Sequence, residues 1–297
     1  NSKLMSVQER GINYHLVNER QLLNQTNSSQ LLLGDGVTLD SKAFALTDML
    51  GTQHQWSICK TDNAVYGVDF NKRKIWRVTA GSKGGLETIS DAGKIRSWVT
   101  NTVDQYGNIS DVTSSFEDNP ICQEGIVTAF DRKNNELIFT FLYNPRGKQG
   151  TFKCTPEEII ANSKTIVFNE WLSKFVSERS YHSPFYLSIS EDFYSVNPNT
   201  TSPIVTPPTI VNTDFYLHDV GDYITFYGKK EKFFIKFVVN DIADATKVFD
   251  NIQISSNGEP FEKIEYRTQD QLASHDPFVI PSEPYRDPRY QENLWKL

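Results

Sequence analysis

No run of about eighteen apolar residues, the length a membrane-crossing helix requires, interrupts this 297-residue sequence. Its start, "NSKLMSVQERGINYHLVNE", has no apolar core of the signal-peptide kind, so no membrane insertion is expected. Cysteine is scarce: Cys59, Cys122 and Cys154 are an odd number at wide spacing, with no CxxC and no adjoining His pair. That argues against a disulfide framework or a zinc site and fits synthesis in a reducing cytoplasm. Positive charge is in deficit, with 30 Lys and Arg against 37 Asp and Glu and a formal net charge of -7. A protein that works by gripping phosphate backbones through counterion release would carry the opposite balance.

Enzyme patterns are missing too. His15, His54, His182, His218 and His275 include no i, i+4 pair and no HExxH, so metal or Ser-His-Asp chemistry has no local support, and each reads as a packing or turn residue. "GSKGG", Gly81 to Gly85, lacks the residue order of a phosphate-cradling loop and reads as a flexible connection. Glu191 and Asp192, like Glu157 and Glu158, are sequence neighbours, which point to opposite faces of a strand; nothing sets a second carboxylate at the roughly 5 to 10 Å needed for glycoside hydrolysis. No SxDxGxTW box of sialidase type occurs. The expectation is no catalytic, cofactor-binding or metal-ligating residue, no cofactor, and no enzyme activity.

What is abundant is aromatic surface: 12% of residues, with 19 Phe and 13 Tyr, a bias that suits pleated, half-buried strands. From "SQLLLGDGVTLD" onward, short apolar runs alternate with Gly, Asp and Asn, the pattern of strands and tight turns. One figure recurs. In "AVYGVDFNKRKIWRV" Asp69 closes a strand and Ile75 resumes it; Asp131 and Leu137 do the same in "GIVTAFDRKNNELIFTF", and Asn169 and Phe175 in "TIVFNEWLSKFVS". A looser fourth copy lies around Asp219. The markers are 62, 38 and 50 residues apart, bracketing the spacing of roughly 40 to 50 residues of four-stranded propeller blades. Asp69, Asp131 and Asn169 are therefore expected to cap turns by bonding their own backbone. Trp56, Tyr66, Val68, Trp76, Phe130, Phe139, Phe168 and Phe175 are expected to form the blade cores. The basic run "NKRK", Asn71 to Lys74, reads as a solvated turn rather than a nucleic-acid grip.

One helix interrupts the strands in "ISDAGKIRSWVTNTV", where Ile89, Ala92, Ile95, Trp98, Val99 and Val103 recur at three and four and Ser90 or Asp91 caps the start. It is expected on the outside of a sheet. Residues 1–45 read as a polar N-terminal segment with a short helix over Val7 to Leu23 and a linker, ordered by a partner. Residues 46–240 read as a propeller-type domain, incomplete because three or four blades are too few to close a typical ring. Residues 241–297 read as a hairpin turning at Asn257-Gly258 followed by a Pro-punctuated tail. "NPNTTSPIVTPPTIVN", Asn197 to Asn212, reads as an exposed contact arm. The fold class expected is mainly β, with β-propeller-like blades, one inserted helix and extended terminal segments.

"MLGTQHQWSICKTDNAVYGVDFNKRKIWRV", "GKIRSWV", "TIVFNEWLSKFVSERSYHSPFYLSI" and "SNGEPFEKIEYRTQDQ", in that order, resemble passages of the muzzle (stabilisation) proteins at the distal end of crAss-like bacteriophage tails. The resemblance runs over most of the chain from about Gln30. It implies a virion protein forming a ring of identical subunits, similar in role to the nozzle proteins of short-tailed phages, around or closing the channel through which DNA leaves. It implies partners among neighbouring tail proteins and offers no catalytic residues to carry over. This chain would be a C-terminal part or processed fragment, a reading suggested also by its lack of an initial Met and its ending at "YQENLWKL". Net acidity suits such a channel, since mild repulsion lets DNA pass without sequence-specific binding. Two other classes are weighed: a receptor- or glycan-binding propeller meeting a host surface, marked by Tyr and Trp clustered on one rim, and a polysaccharide depolymerase, marked by two carboxylates in one cleft.

Overall fold

A computed structural model of the chain describes residues 3–17, 21–24, 30–33, 39–79, 85–107, 118, 120, 124–143, 161–197, 214–230, 232, 234–238, 253–255, 263–267, 272–275, 289–291 and 294–296. The chain divides into two units, Asn1–Lys232 and Phe233–Leu297. It is mainly β, built from antiparallel sheets.

The first unit opens with β1 (Lys3–Val7) and β2 (Ile12–Val17), which pair antiparallel. β3 (Gln21–Asn24) and β4 (Gln30–Leu33) make a separate hairpin, and β5 (Leu39–Thr47) returns beside β2, completing a first sheet in the order β1-β2-β5. The helix expected over 7–23 is not formed. Ile12 is buried, with Met5, Val7 and Tyr14 packed beside it, so the apolar residues follow a period of two. Polar residues of this segment take the alternate positions of these strands: Ser6 pairs with Asn13, and its Oγ lies 3.0 Å from His15 Nε2.

The second sheet is a meander of β6 (Cys59–Lys60), β7 (Ala64–Asp69), β8 (Lys74–Thr79) and β9 (Leu86–Thr88). Its face toward the first sheet carries Trp76 and Val78, which cluster with Ile12. The Trp76 ring lies over Gly67, its cross-strand partner, where any Cβ would overlap the ring; the indole N–H donates to the Gly51 carbonyl at 2.8 Å. Gly51 in turn sits so close to the Gln8 carbonyl that it also has no room for a side chain.

Two helices follow rather than one: α1 (Ile89–Ala92) and α2 (Arg96–Gly107). Gly93 ends the first turn, and Lys94 takes φ +59°, a left-handed conformation no α-helix continues through. Ile89, Val99 and Val103 belong to the largest buried cluster, so the helices, which lie against β8, contribute their apolar face to the core. Ser90, expected as a cap, accepts the Ile75 N–H through its Oγ at 3.2 Å, and Asp91 pairs with Lys74 at 3.0 Å.

The third sheet repeats the meander with β10 (Gly125–Asp131), β11 (Glu136–Leu142), β12 (Lys164–Asn169) and β13 (Lys174–Arg179). Its residues alternate between two cores: Ile126, Phe130, Leu137, Phe139, Phe141, Ile166 and Phe168 face the second sheet, while Val127, Ile138, Leu142 and Val167 face the fourth. That fourth sheet is β14 (Tyr186–Ile189), β15 (Asp192–Val196) and β16 (Phe215–Leu217), contributing Tyr186 and Phe193. A small hairpin, β17 (Thr225–Phe226) with β18 (Lys229–Lys230), follows. Four sheets thus stack in chain order, each pair sharing a cluster, and the first strands lie side by side, β10 beside both β6 and β14. No closed barrel forms among the described residues.

In the second unit, β19 (Gln253–Ser255) pairs with β23 (Leu294–Lys296), which also pairs with β22 (Arg289–Gln291); β20 (Ile264–Arg267) pairs with β21 (Leu272–His275). β19 and β20, the described strands on either side of Asn257-Gly258, belong to different sheets; the hairpin expected at that turn falls on residues 256–262, which lie outside the described residues. So do Gly81 to Lys83 and Gly84, Cys122, Cys154, Glu157, Glu158 and all of the Pro-rich arm except Asn197.

Replacing Trp76 with Ala empties the seam between the first two sheets and should lower unfolding stability by on the order of 3 to 5 kcal/mol. Gly67→Ala, which pushes a methyl into the same ring, should cost about 1–3 kcal/mol. Denaturant unfolding of both variants checks this; wild-type stability in either would break the assignment of Trp76 to the seam.

Candidate interaction surface

Three hairpins share one turn. A strand-closing Asp or Asn is followed by four loop residues, the last left-handed: Arg73 at φ +56°, Asn135 at +54° and Ser173 at +49°. The closing side chain accepts a backbone N–H inside its own loop. Asp69 Oδ1 accepts from Lys72 at 2.9 Å, Asp131 Oδ1 from Lys133 at 3.1 Å and Asn134 at 3.3 Å, and Asn169 Oδ1 from Leu172 at 2.9 Å. This bond is local, made within each loop's own few residues. "NKRK" occupies the first of these loops and the residue after it; Arg73 pairs with Asp104 at 2.6 Å.

Asp219 does not close a fourth copy. It sits at φ +60° just beyond β16, which among the described residues pairs with β15 alone, and its carboxylate accepts from Asn134 Nδ2 at 3.2 Å and Lys133 Nζ at 3.4 Å. The reason is sheet order: β16 is the last strand of its sheet, so the chain leaves there rather than turning back.

The loops of the third sheet tie the stack together. The Glu170 N–H donates to the Asn135 carbonyl at 2.9 Å, joining the β12–β13 loop to the β10–β11 loop. The Glu170 carboxylate reaches the second sheet, accepting from Thr61 Oγ1 at 2.6 Å, Tyr66 Oη at 2.9 Å and Asn63 Nδ2 at 3.3 Å. Arg132 adds a bond to Asp62 at 3.4 Å. Burial first, and Glu170 second, push the Cys59 thiol up to about 12, leaving it unreactive as a thiolate at neutral pH. Tyr66 is likewise held well above the usual phenol range by burial, with Arg77 opposing and Glu170 reinforcing.

Around these ties the loop tips carry exposed apolar side chains. Trp171 is 88% and Tyr223 95% exposed, with Leu172, Val220 and Ile224 beside them in sequence also exposed. The β12–β13 loop bearing Trp171 and the loop after β16 bearing Tyr223 both adjoin the β10–β11 loop, so they share one end of the stack. Ile224 adopts φ +58°, a conformation a β-branched residue rarely takes, and so holds its side chain at a strained position. The nearby cations Arg132 and Lys133 face Asp62 and Asp219. The rim is therefore aromatic and aliphatic rather than cationic, a composition suited to proteins or sugar rings more than to phosphate.

Of the residues expected in the core, Tyr66, Val68, Phe130, Phe139 and Phe168 meet in one cluster between the second and third sheets; Phe175 packs partly buried against Phe168, ring centroids 5.0 Å apart. Trp76 lies on the other side of the second sheet. Trp56 is a correction: it is 48% exposed, because it sits in a one-turn helix, Gln55–Ser57, ahead of the strand, where Ser57 and His54 take the inward positions. Asp131 and Asn169 come together at the rim, whereas Asp69 closes the far end of β7 and accepts the Gly51 N–H at 3.0 Å. Glu170, Asn134 and Asp219 were not singled out as connectors by the sequence; Glu170 lies 109 residues from Thr61, and no local pattern marks that pairing. Glu191 lies in the β14–β15 turn and Asp192 opens β15, and among the described residues no group of three or more His, Cys, Asp or Glu could hold a metal ion. No described helix is long and apolar enough to cross a membrane.

Two family models match the chain. One, described as Crassvirus muzzle protein, covers residues 1–199, and the other, described as Crassvirus muzzle protein C-terminal domain, covers residues 221–289. No curated protein matches it.

Glu170→Ala removes the carboxylate that accepts from the Thr61 and Tyr66 hydroxyls and should lower stability by about 1–3 kcal/mol, with Glu170→Gln losing less. Denaturant melts measure this, and a change within experimental error in both variants would mean the carboxylate does not link the sheets.

Proposed function

This chain belongs to the Crassvirus muzzle protein family, and on that premise we propose that it is one subunit of a ring at the distal end of the tail, around or closing the DNA exit channel. As a family member it is a structural component of the phage particle that works among other tail proteins. The observation supporting the ring reading is the stack itself. Four sheets follow one another face to face in chain order, with the first strands β6, β10 and β14 side by side, which is how consecutive blades radiate from an axis in a propeller. Further blades come from sequence beyond these sheets or from neighbouring subunits. The work of such a subunit is mechanical: hold its place in the wall and let DNA pass. With 37 acidic against 30 basic residues the wall repels the polyanion weakly instead of retaining it.

The exposed rim favours a second reading, contact with a host-surface glycan or receptor, because Trp171 and Tyr223 present flat apolar faces at one end of the stack.

Cryo-EM of virions, with native mass spectrometry of the purified chain, tests the first reading: density for several copies about the tail axis is expected, and a chain found only as a free monomer absent from particles would refute it. For the second, host polysaccharide should bind the wild type, and Trp171→Ala with Tyr223→Ala should weaken binding at least about tenfold without changing the melting temperature. No binding by the wild type removes that reading and leaves the first intact.

A further inference from the structure

We propose that the seam between the third and fourth sheets is an acid-sensitive joint, closed while His182 and His218 are neutral and released when they take up protons. The seam differs from its neighbours in make-up. Between the second and third sheets the core is broad and aromatic-rich, but here it is narrow, with Val127, Ile138, Leu142 and Val167 on one side and Tyr186 and Phe193 on the other. A line of polar side chains runs through it. Tyr186 Oη lies 2.7 Å from Thr140 Oγ1, which lies 3.1 Å from Thr165 Oγ1, which lies 2.8 Å from His182 Nδ1. Beside this line, Ser195 Oγ bridges His218 Nε2 at 2.6 Å and Tyr227 Oη at 2.8 Å.

Both rings are withdrawn from water, and burial is the main influence opposing a positive charge on each. His182 is buried, and the charged group that acts on it is Lys164 of β12. His218 is ringed by Phe193, Tyr181 and Phe226, with centroids 5.1, 5.4 and 5.6 Å away. The charged groups around it are Asp219 next in the chain, Asp131 at the end of β10, and Arg179 of β13, which pairs with Glu136 of β11. Burial, then Lys164, lower His182 to about 4; burial lowers His218 against the pull of Asp219 and Asp131, with Arg179 assisting. The surrounding phenols, Tyr181, Tyr186 and Tyr227, are pushed upward by burial and stay neutral throughout.

A group whose pKa is lower in the closed state favours closure above its ordinary value of 6.5 and loses that contribution as pH falls toward the closed-state value. Below about pH 6.5 the opened seam binds protons that the closed one refuses. For one imidazole moved from 6.5 to about 4, going from pH 7.5 to 5.0 raises the opening equilibrium about 30-fold, and His218 adds to it. The loop after β16 carries Tyr223 and Ile224, so one flank of the exposed rim departs with the fourth sheet.

Hydrogen exchange of the full chain at pH 7.5 and 5.0, corrected for intrinsic rates, reads the opening directly. Peptides spanning β14–β16 should open about 30-fold or more at pH 5.0, while those of β6–β9 change little. His182→Asn with His218→Gln keeps an amide nitrogen near each bonded ring position without a titrating group, and should flatten the response. Unchanged protection of β14–β16 in the wild type, an equal change in β6–β9, or a double variant that keeps the pH response would overturn the proposal. Should the double variant fail to fold, wild-type imidazole titration by NMR decides: both rings titrating below the ordinary value of about 6.5 supports the joint, and either titrating at or above it overturns it.

Discussion

Burying a four-stranded sheet on both faces is the constraint from which the first unit follows. Strands β10, β11 and β12 carry apolar residues at most inward positions on two sides, with Thr140 and Thr165 buried among them: β11 reads Leu137, Ile138, Phe139, then Phe141 and Leu142, alternately assigned to two cores. Each face calls for another sheet, and each added sheet has a further face of its own, so the layers continue until a polar surface ends them. The first sheet shows such an ending, with Ser6 and His15 bonded to each other on the side away from the core cluster.

Apolar faces alone would let sheets slide, because burial is not directional. Direction comes from polar ties at the loop ends. Glu170 grips three side chains of the neighbouring sheet, Asn134 and Lys133 reach Asp219 of the next, and the Trp76 indole fixes the approach of the chain at Gly51. These bonds are short-range and geometrically demanding, so they set register where the core sets only proximity. Two of the three capped turns, those closed by Asp131 and Asn169, place their loops at the same end of the stack, which is why residues far apart in the sequence meet there.

Strand residues in the middle of the chain were legible because their signal is local. A period of two, an Asp or Asn at the strand end and an apolar return within six residues determine a hairpin without outside help, and Tyr66, Val68, Phe130, Phe139 and Phe168 do gather in one core. The N-terminal strands were not legible: Asn, Gln and Ser dilute their apolar positions, and only the second sheet's Trp76 and Val78 give those positions a surface to cover. The helix was recognised in place but not its break, since Lys94 in a left-handed conformation follows from packing rather than propensity. Trp56 was assigned inward on hydrophobicity, yet the turn containing it is anchored through Ser57, whose hydroxyl bonds the His54 carbonyl at 2.7 Å and lies 2.8 Å from Thr52 Oγ1. The ties at the rim join sequence positions a hundred apart, and no single-sequence pattern reports them.

The chain-order stacking has a consequence for biosynthesis. Because each sheet packs against the one made just before it, a nascent polypeptide never has to wait for its far end to hide an apolar face: the second sheet covers the first as it emerges from the ribosome, and the third covers the second. Maturation can therefore proceed vectorially, with the most recently translated layer the only one left open to solvent.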